Sequence, residues 1–482
     1  MCGIDLAVFQ DPGTGLWGAL IDACPHRLAP LSQGRVDPAT GCVECPYHGW
    51  QFGTDGGLAS LPQLDSGGPV PSAGTSASAS ATSVPVHAAG DLLFAFLPAS
   101  VTGESFPIDL IPEDQYPYLA GTVGRNGTYF SRDLPYSADF LLENFMDPAH
   151  IPYAHHGLQS VRDDGSPIKM AVLADNFTHI EVSFSDVSRG RRREGVLSFQ
   201  RPALYHFRTR MGGEGEEDGG GAGGGGGGGG GYRPNLLIYV APVGPGRCRI
   251  LMPDLSLKWI PKWLGHAGSN RFLNTDTWLH DAERAARGAT HVTEVGGELA
   301  VGPARRGKGP VPVSPPGGRG GLNYVYASRS DLGTTAFRAW WARHGMADAP
   351  PGTYGPAGPE ELAAAGPALG RAEQIDPWVN HARHCSSCRR ALRTMRTLQR
   401  LGLAAAAAGS VLLGRGRPAA AVAAALAGLW SYGFLGRLAT VIEGNPRRAE
   451  IGYRSVAAAA ADKKKGKVRA SRRGRGKSLR AG

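Results

Sequence analysis

The chain has 482 residues, 42% of them apolar and 8% aromatic, which is enough to build cores in two or three domains and excludes a disordered protein. Its formal charge of +10 raises the question of nucleic acid, yet ten Lys or Arg and one acid lie between Asp462 and Gly482, leaving 41 basic and 40 acidic residues elsewhere. The positive charge thus belongs to a solvated tail, less often a contact for anionic lipid, and no nucleic-acid partner is expected; seven cysteines spread this thinly exclude a secreted disulfide framework and point to metal and redox chemistry.

Residues 1–100 read as short strands separated by Gly, Pro, Asp and Ser, an all-β module with a Ser/Ala-rich loop from Pro71 to Ser83. A strand-like run, Ile4 to Phe9, stands almost at the start, followed by the turn signal Asp11-Pro12-Gly13. The expectation is a shortened N-terminus, with any targeting segment lost from view. Within this module Cys24-Pro25-His26 is followed 18 residues later by Cys45-Pro46-Tyr47-His48. Each loop offers one thiolate and one imidazole, so Cys24, His26, Cys45 and His48 can clamp a Rieske-type [2Fe-2S] cluster, with both cysteines on one iron and both histidines on the other. Zinc fingers pair like with like, as C-x-x-C and H-x3-5-H, which argues against a structural zinc ion here. Cys42 would be a fifth ligand that the cluster does not need, and is expected to be a strand residue. Pro25, Pro46 and Gly49 suit tight loops whose backbone N–H groups point at sulfur.

Residues 115–345 mix helical and strand signals: a helical stretch around Asp139 to His155, strands such as Ile180 to Phe184 and Leu236 to Val240, and a helix from Asn274 to Ala286. The run Gly219 to Gly231, broken only by Ala222, has no side chains to bury and is expected to be a flexible insertion. The segment Asp147-Pro148-Ala149-His150-Ile151-Pro152-Tyr153-Ala154-His155 is a D-x-x-H-x4-H pattern. His150 and His155 with one later carboxylate would form the 2-His-1-carboxylate face that holds mononuclear Fe(II) and leaves positions open for O2. His156 is the alternative ligand. Asp147 is placed one turn before His150, where a carboxylate can orient an imidazole. The third ligand is expected at Asp276, with Asp281 and Glu283 as alternatives.

Residues 346–372, rich in Pro, Gly and Ala, read as a linker, and 373–400 as a basic segment with thiols at Cys385 and Cys388. Neighbouring arginines favour the thiolate, so this C-x-x-C pair is expected to be reactive and able to close a disulfide; zinc is less expected because no second ligand pair lies nearby. Two Ala-rich apolar stretches, Leu401 to Gly414 and Ala419 to Leu435, offer 14 and 17 residues before an arginine, and a span needs about 20. Continuation past Arg437 to Ile442 would lengthen the second, so 401–442 is expected to hold membrane-anchor helices and 443–482 the basic tail.

Taken together, Cys24 to Ser32, Cys45 to Trp50, Leu61-Pro62-Gln63, Glu143-Asn144, Asp147 to His150 and Ala154-His155-His156 resemble the Rieske non-haem iron oxygenases. Within them, Arg329-Ser330-Asp331, Phe337 to Trp341 and the C-terminal C-x-x-C resemble the chloroplast group of pheophorbide a oxygenase and chlorophyllide a oxygenase. The resemblance implies an α+β protein: a Rieske domain, a helix-grip (START-like) catalytic domain and C-terminal anchor helices. It also implies a chloroplast membrane, envelope or thylakoid, as the location; ferredoxin as electron donor; O2 and a chlorophyll-type tetrapyrrole as substrates; and a homotrimer in which Asp147, beside Asn144, bridges one subunit's cluster to its neighbour's iron. Thioredoxin acting on Cys385 and Cys388 is a further implied partner. The implied reaction is opening of pheophorbide a, the alternatives being oxidation of a chlorophyllide or protochlorophyllide-type pigment, or a redox-sensing envelope component without turnover.

Overall fold

The structure is a computed structural model that describes residues 4–63, 79–89, 92–95, 129–211, 233–253, 260–288, 291–295, 298–302, 326, 328–344, 362, 366–416 and 418–444. The glycine run, the basic tail from Asp462 and most of the 346–372 linker lie outside them.

The first module is β throughout. Strands β1 (Leu6–Gln10) and β2 (Trp17–Ile21) pair antiparallel around the expected turn, where the Asp11 carboxylate accepts from the Gly13 N–H at 2.8 Å. A second sheet runs β3 (Arg35–Val36), β4 (Val43–Glu44), β5 (Gln51–Phe52), β6 (Leu58–Ser60). Between the two, Phe9, Leu20, Leu31, Val43 and Phe52 form a small core that also takes in Cys24 and Cys45. The pair β7 (Val86–Ala89) and β8 (Leu92–Ala95) packs on both sides of the junction. Val86 and Ala95 pack on Ala19, whereas Leu92 and Phe94 pack on Leu204, Leu237 and Tyr239 of the following domain.

That domain is one seven-stranded antiparallel sheet. Its strands are β9 (Tyr129–Leu134), β10 (Lys169–Asp175), β11 (His179–Ser188), β12 (Arg191–Gln200), β13 (Leu204–Met211), β14 (Arg233–Gly244) and β15 (Arg247–Pro253), in the order β10-β11-β12-β13-β14-β15-β9. Period-two alternation aims one face at the helices: along β11, Ile180, Val182 and Phe184 are buried while the residues between them are partly exposed. On that face lie α1 (Ala138–Phe145), α2 (Ile151–Ala154), α3 (Lys262–Leu273), α4 (Leu279–Gly288) and α5 (Leu332–His344). Phe337, Trp340 and Trp341 of α5 pack with Phe199 and close the core, and the Trp340 indole donates to the Asn176 carbonyl at 2.6 Å. Gly333 lets α5 press on the bend after α1, because a Cβ there would stand 2.0 Å from the Met146 carbonyl oxygen.

Two helical expectations change. The stretch from Asp139 to His155 is not one helix: α1 ends at Phe145, and a single 3-10 turn, Pro148–His150, precedes α2. Pro148 holds Asp147 in extended backbone (φ −108°, ψ 97°), so the helix cannot run through it. Downstream, Asn274–Asp276 is a 3-10 turn after α3, a helix with Gly265 and Gly268 and no apolar stripe to announce it.

Three helices are tied together by charge in the interior. Arg287 (α4) donates to Asp139 (α1) at 2.9 and 2.7 Å and to Glu283 at 2.9 Å. Arg338 (α5) donates to Asp139 at 2.9 Å and also binds Glu143. Burial works to raise the Asp139 carboxyl, yet the two guanidinium groups hold it below its ordinary value.

The C-terminal part runs through α6 (Arg371–Gln374), a π-helical turn (Trp378–Ala382), α7 (Ser386–Gly414) and α8 (Pro418–Glu443). The last two form a hairpin so close that a Cβ on Gly428 would stand 2.3 Å from the Gly402 carbonyl oxygen. Among the described residues, α8 is the one helix long and apolar enough to cross a membrane, and 11% of its apolar window is buried in the protein. The first expected span falls short because the apolar end of α7 continues a helix half filled with Arg389, Arg390, Arg393, Arg396 and Arg400.

Candidate metal centres

The two cysteine-histidine loops are built alike. The Cys24 N–H donates to Ala29 O (2.9 Å) and the Leu28 N–H returns to Cys24 O (2.7 Å); the Cys45 N–H donates to Trp50 O (2.8 Å) and the Gly49 N–H to Cys45 O (3.1 Å). Each loop closes through a left-handed residue, Leu28 (φ 58°) and Gly49 (φ 74°). Both thiols point inward, 1% and 3% exposed, while His26 is exposed and His48 partly so. The imidazole centroids stand 4.6 Å apart, and His26 stacks on Trp50 at 4.6 Å with 7° between the planes. Burial raises the Cys24 thiol, and the His26 and Arg27 N–H groups directed at its sulfur work against that rise. Two sulfurs inside, two imidazoles outside and N–H groups on sulfur suit a [2Fe-2S] cluster whose histidine-bound iron faces solvent. Cys42 stays out, its thiol turned to the Thr40 carbonyl at 3.5 Å just before β4.

The second centre forms where the turn after α1 meets the turn after α3. His150, His155 and Asp276 bring one donor atom each within 4.8 Å of one another. The Nε2 atoms of the histidines are 3.3 Å apart, and Asp276 Oδ2 is 3.4 Å from His155 Nε2. The far side of each ring fixes its tautomer. Thr275 spends its one hydroxyl proton on the Phe272 carbonyl (2.6 Å), so its oxygen accepts from His155 Nδ1–H (2.7 Å) and leaves His155 Nε2 with a lone pair. His150 Nδ1 donates to the Asp147 backbone carbonyl, with the same result. Phe272 stacks on His155 at 4.1 Å and shields it from water. Burial lowers the His155 imidazole to about 3 and raises the Asp276 carboxyl to about 6, the latter opposed by His150. His155 is therefore neutral, as a ligand must be, and a dication would hold the Asp276 carboxylate charged. Asp276 Oδ1, fully buried, makes no hydrogen bond among the described residues. A buried carboxylate oxygen without a donor, beside two imidazole lone pairs, fits a divalent ion such as Fe(II).

The other carboxylates weighed for this role are elsewhere: Asp281 is exposed and Glu283 is held by Arg287. His156 is exposed and accepts from the Arg162 N–H at 3.1 Å. Asp147 departs from its expected task, since its backbone carbonyl and not its carboxylate orients His150. The carboxylate caps the 3-10 turn by accepting from Ala149 N–H at 2.8 Å, and its second oxygen makes no hydrogen bond among the described residues. Asn144 is buried, and its Nδ2 makes none either. Thr275 carried no signal in the sequence, because one threonine beside an acid is common.

Cys385 and Cys388 meet two histidines, His266 of α3 and His381 of the π turn. The expectation that no second ligand pair lies nearby fails: one partner comes from 119 residues upstream, and the other, four residues before Cys385, was legible as H-x3-C-x2-C.

Residues 1–80 match the family described as the Rieske [2Fe-2S] domain, and those residues are such a domain. Over 58% of this chain and 55% of its own length, the protochlorophyllide-dependent translocon component 52 of Arabidopsis thaliana is 31% identical. The pheophorbide a oxygenase of Oryza sativa subsp. japonica is 39% identical over 34% of this chain and 30% of its own. The flavonoid 8-hydroxylase 2 of Ocimum basilicum is 28% identical over 58% and 55%. The chain therefore spans about half or less of the length of the curated relatives it matches.

Proposed function

From a chain that carries a Rieske [2Fe-2S] domain and groups by sequence with the chloroplast Rieske oxygenases, we propose a ferredoxin-dependent monooxygenase acting on a chlorophyll-derived tetrapyrrole, opening of pheophorbide a being the first choice. The observation that carries the reading is the convergence of His150, His155 and Asp276, with a bare carboxylate oxygen, in a chain whose other domain handles electrons. Fe(II) bound by these three side chains would supply the oxygen chemistry, with coordination positions left for O2.

The protein's own residues do the rest. The buried Cys24 and Cys45 would hold one side of a cluster, and His26 and His48, nearer the surface, the side to which a ferredoxin could deliver an electron. Thr275 and the Asp147 carbonyl hold the iron ligands in one tautomer. The Asp147 carboxylate, anchored through one oxygen, offers the other to a cluster histidine of a neighbouring subunit in a homotrimer. Helix α8 anchors the assembly in a chloroplast membrane.

Oxygen uptake by protein loaded with both metals, driven by reduced ferredoxin, tests the assignment across pheophorbide a, chlorophyllide a, protochlorophyllide and a flavone. Uptake and product with pheophorbide a alone supports the first choice, and uptake with another member reassigns the substrate. Uptake with none would return the chain to a redox-sensing component.

A further inference from the structure

We propose that His266, His381, Cys385 and Cys388 form a structural zinc site that fastens the C-terminal helical hairpin to the catalytic domain. Four potential ligands from three segments converge inside the protein: His266 from α3, His381 from the π turn, and the two cysteines at the start of α7. His266, His381 and Cys388 are 3%, 2% and 2% exposed, and Cys385 lies at the partly exposed edge.

The spacing is that of a tetrahedron. With Zn–S about 2.3 Å and Zn–N about 2.0 Å, tetrahedral geometry sets neighbouring N–N donors about 3.3 Å apart and N–S donors about 3.5 Å apart. His266 Nδ1 and His381 Nε2 are 3.2 Å apart. His266 Nδ1 is 3.5 Å from Cys385 Sγ and 3.4 Å from Cys388 Sγ, and His381 Nε2 is 3.3 Å from Cys388 Sγ. His381 Nδ1 donates to the Ser131 carbonyl of β9 at 2.6 Å, so its Nε2 presents a lone pair to the centre, the second support that histidine ligands characteristically have. Phe130 lies against both imidazoles, with ring centroids 5.4 and 4.6 Å away, and keeps water off that side. Two thiolates and two neutral imidazoles around Zn(II) give a site of zero net charge, which suits burial.

The position gives the site a purpose. His266 and Asp276 are ten residues apart on α3 and the turn that ends it, roughly 15 Å along a helix. Fixing His266 against β9 and α7 fixes the register of the segment that delivers Thr275 and Asp276 to the other centre. The same two cysteines that were expected to close a disulfide are, in this arrangement, held apart as ligands in the resting protein.

Full-length protein, purified in detergent under reducing conditions from zinc-supplemented cells, tests this by elemental analysis and zinc K-edge absorption. The expected result is about one zinc per chain with two sulfur neighbours at about 2.3 Å and two nitrogens at about 2.0 Å. That zinc should persist in His150→Ala, which disables the three-ligand centre, and disappear in Cys388→Ser and His381→Ala. Zinc with only nitrogen and oxygen neighbours, zinc lost with His150, or a zinc-free parent protein with a Cys385–Cys388 disulfide would each overturn the proposal. The absorption measurement uses the parent chain, so the answer does not depend on whether a variant folds.

Discussion

His155 shows how much of a metal site is decided by atoms that never touch the metal. Its ring could carry its proton on either nitrogen, and the Thr275 hydroxyl, already committed to the Phe272 carbonyl, settles which. Thr275→Val keeps the volume and removes the acceptor, leaving either a buried Nδ1–H without a partner or a proton on the nitrogen that should bind iron. Iron affinity should fall about 10–100-fold, measured by Fe(II) titration, while the spectrum of the reduced cluster stays as it is. Unchanged affinity would remove Thr275 from the site. Asp147 sits differently, since its carbonyl supports His150 while its carboxylate has an oxygen to spare. Asp147→Asn preserves the carbonyl and the shape, so both metals should remain bound while turnover drops roughly a hundredfold. Loss of iron in that variant would mean that the carboxylate holds the turn together and does not relay electrons.

At the scale of elements, the three proposed iron ligands lie on two short turns, and those turns are held by the helices around them. Asp139, Glu143, Glu283, Arg287 and Arg338 tie α1, α4 and α5 together in the interior, and removing one partner leaves the others short of a counter-charge. Asp139→Asn should cost about 3–5 kcal/mol of stability, read as a lowered denaturation midpoint, since it leaves two buried guanidinium groups short of a counter-charge. A surface-like loss, under about 1 kcal/mol, would show that water reaches this network. The same elements show what could be read in advance. Cysteine and histidine spacing announced the cluster loops, because their ligands are local in sequence. His150 and His155, the proposed iron ligands, are legible for the same reason, and Asp276 only as one of several carboxylates at a suitable distance. The break at Asp147-Pro148 is signalled only by the proline, because the apolar pattern runs through it. Helix α3 was invisible because its two glycines and mixed face carry no period, and His266 was hidden with it. What brings His266 to Cys388 is tertiary packing across 122 residues, which no local pattern encodes.

At the scale of the whole molecule, the two redox centres belong to separate cores joined by the β7–β8 pair. Among the described residues no hydrogen bond connects the Cys24–His26 or Cys45–His48 loop to residues 147–156. The cluster histidines lie at or near the surface, and the partly buried Asp147 carboxylate keeps one oxygen without a hydrogen bond among the described residues, an arrangement that suits a chain whose electrons go to a neighbour. This makes a prediction that no single-subunit measurement can mimic. Cys45→Ser abolishes the cluster, and His150→Ala abolishes the iron; each protein alone should be inactive. Co-expressed with different tags and isolated as mixed oligomers, they should recover activity, because some interfaces pair an intact cluster with an intact iron on the adjoining chain. In a trimer with one direction of transfer, every mixed ring has one such productive interface among its three, so recovery to roughly a third of the parent rate per chain is expected. Mixed oligomers as inactive as their parents would place electron transfer within one chain, and the spare oxygen of Asp147 would then need another explanation.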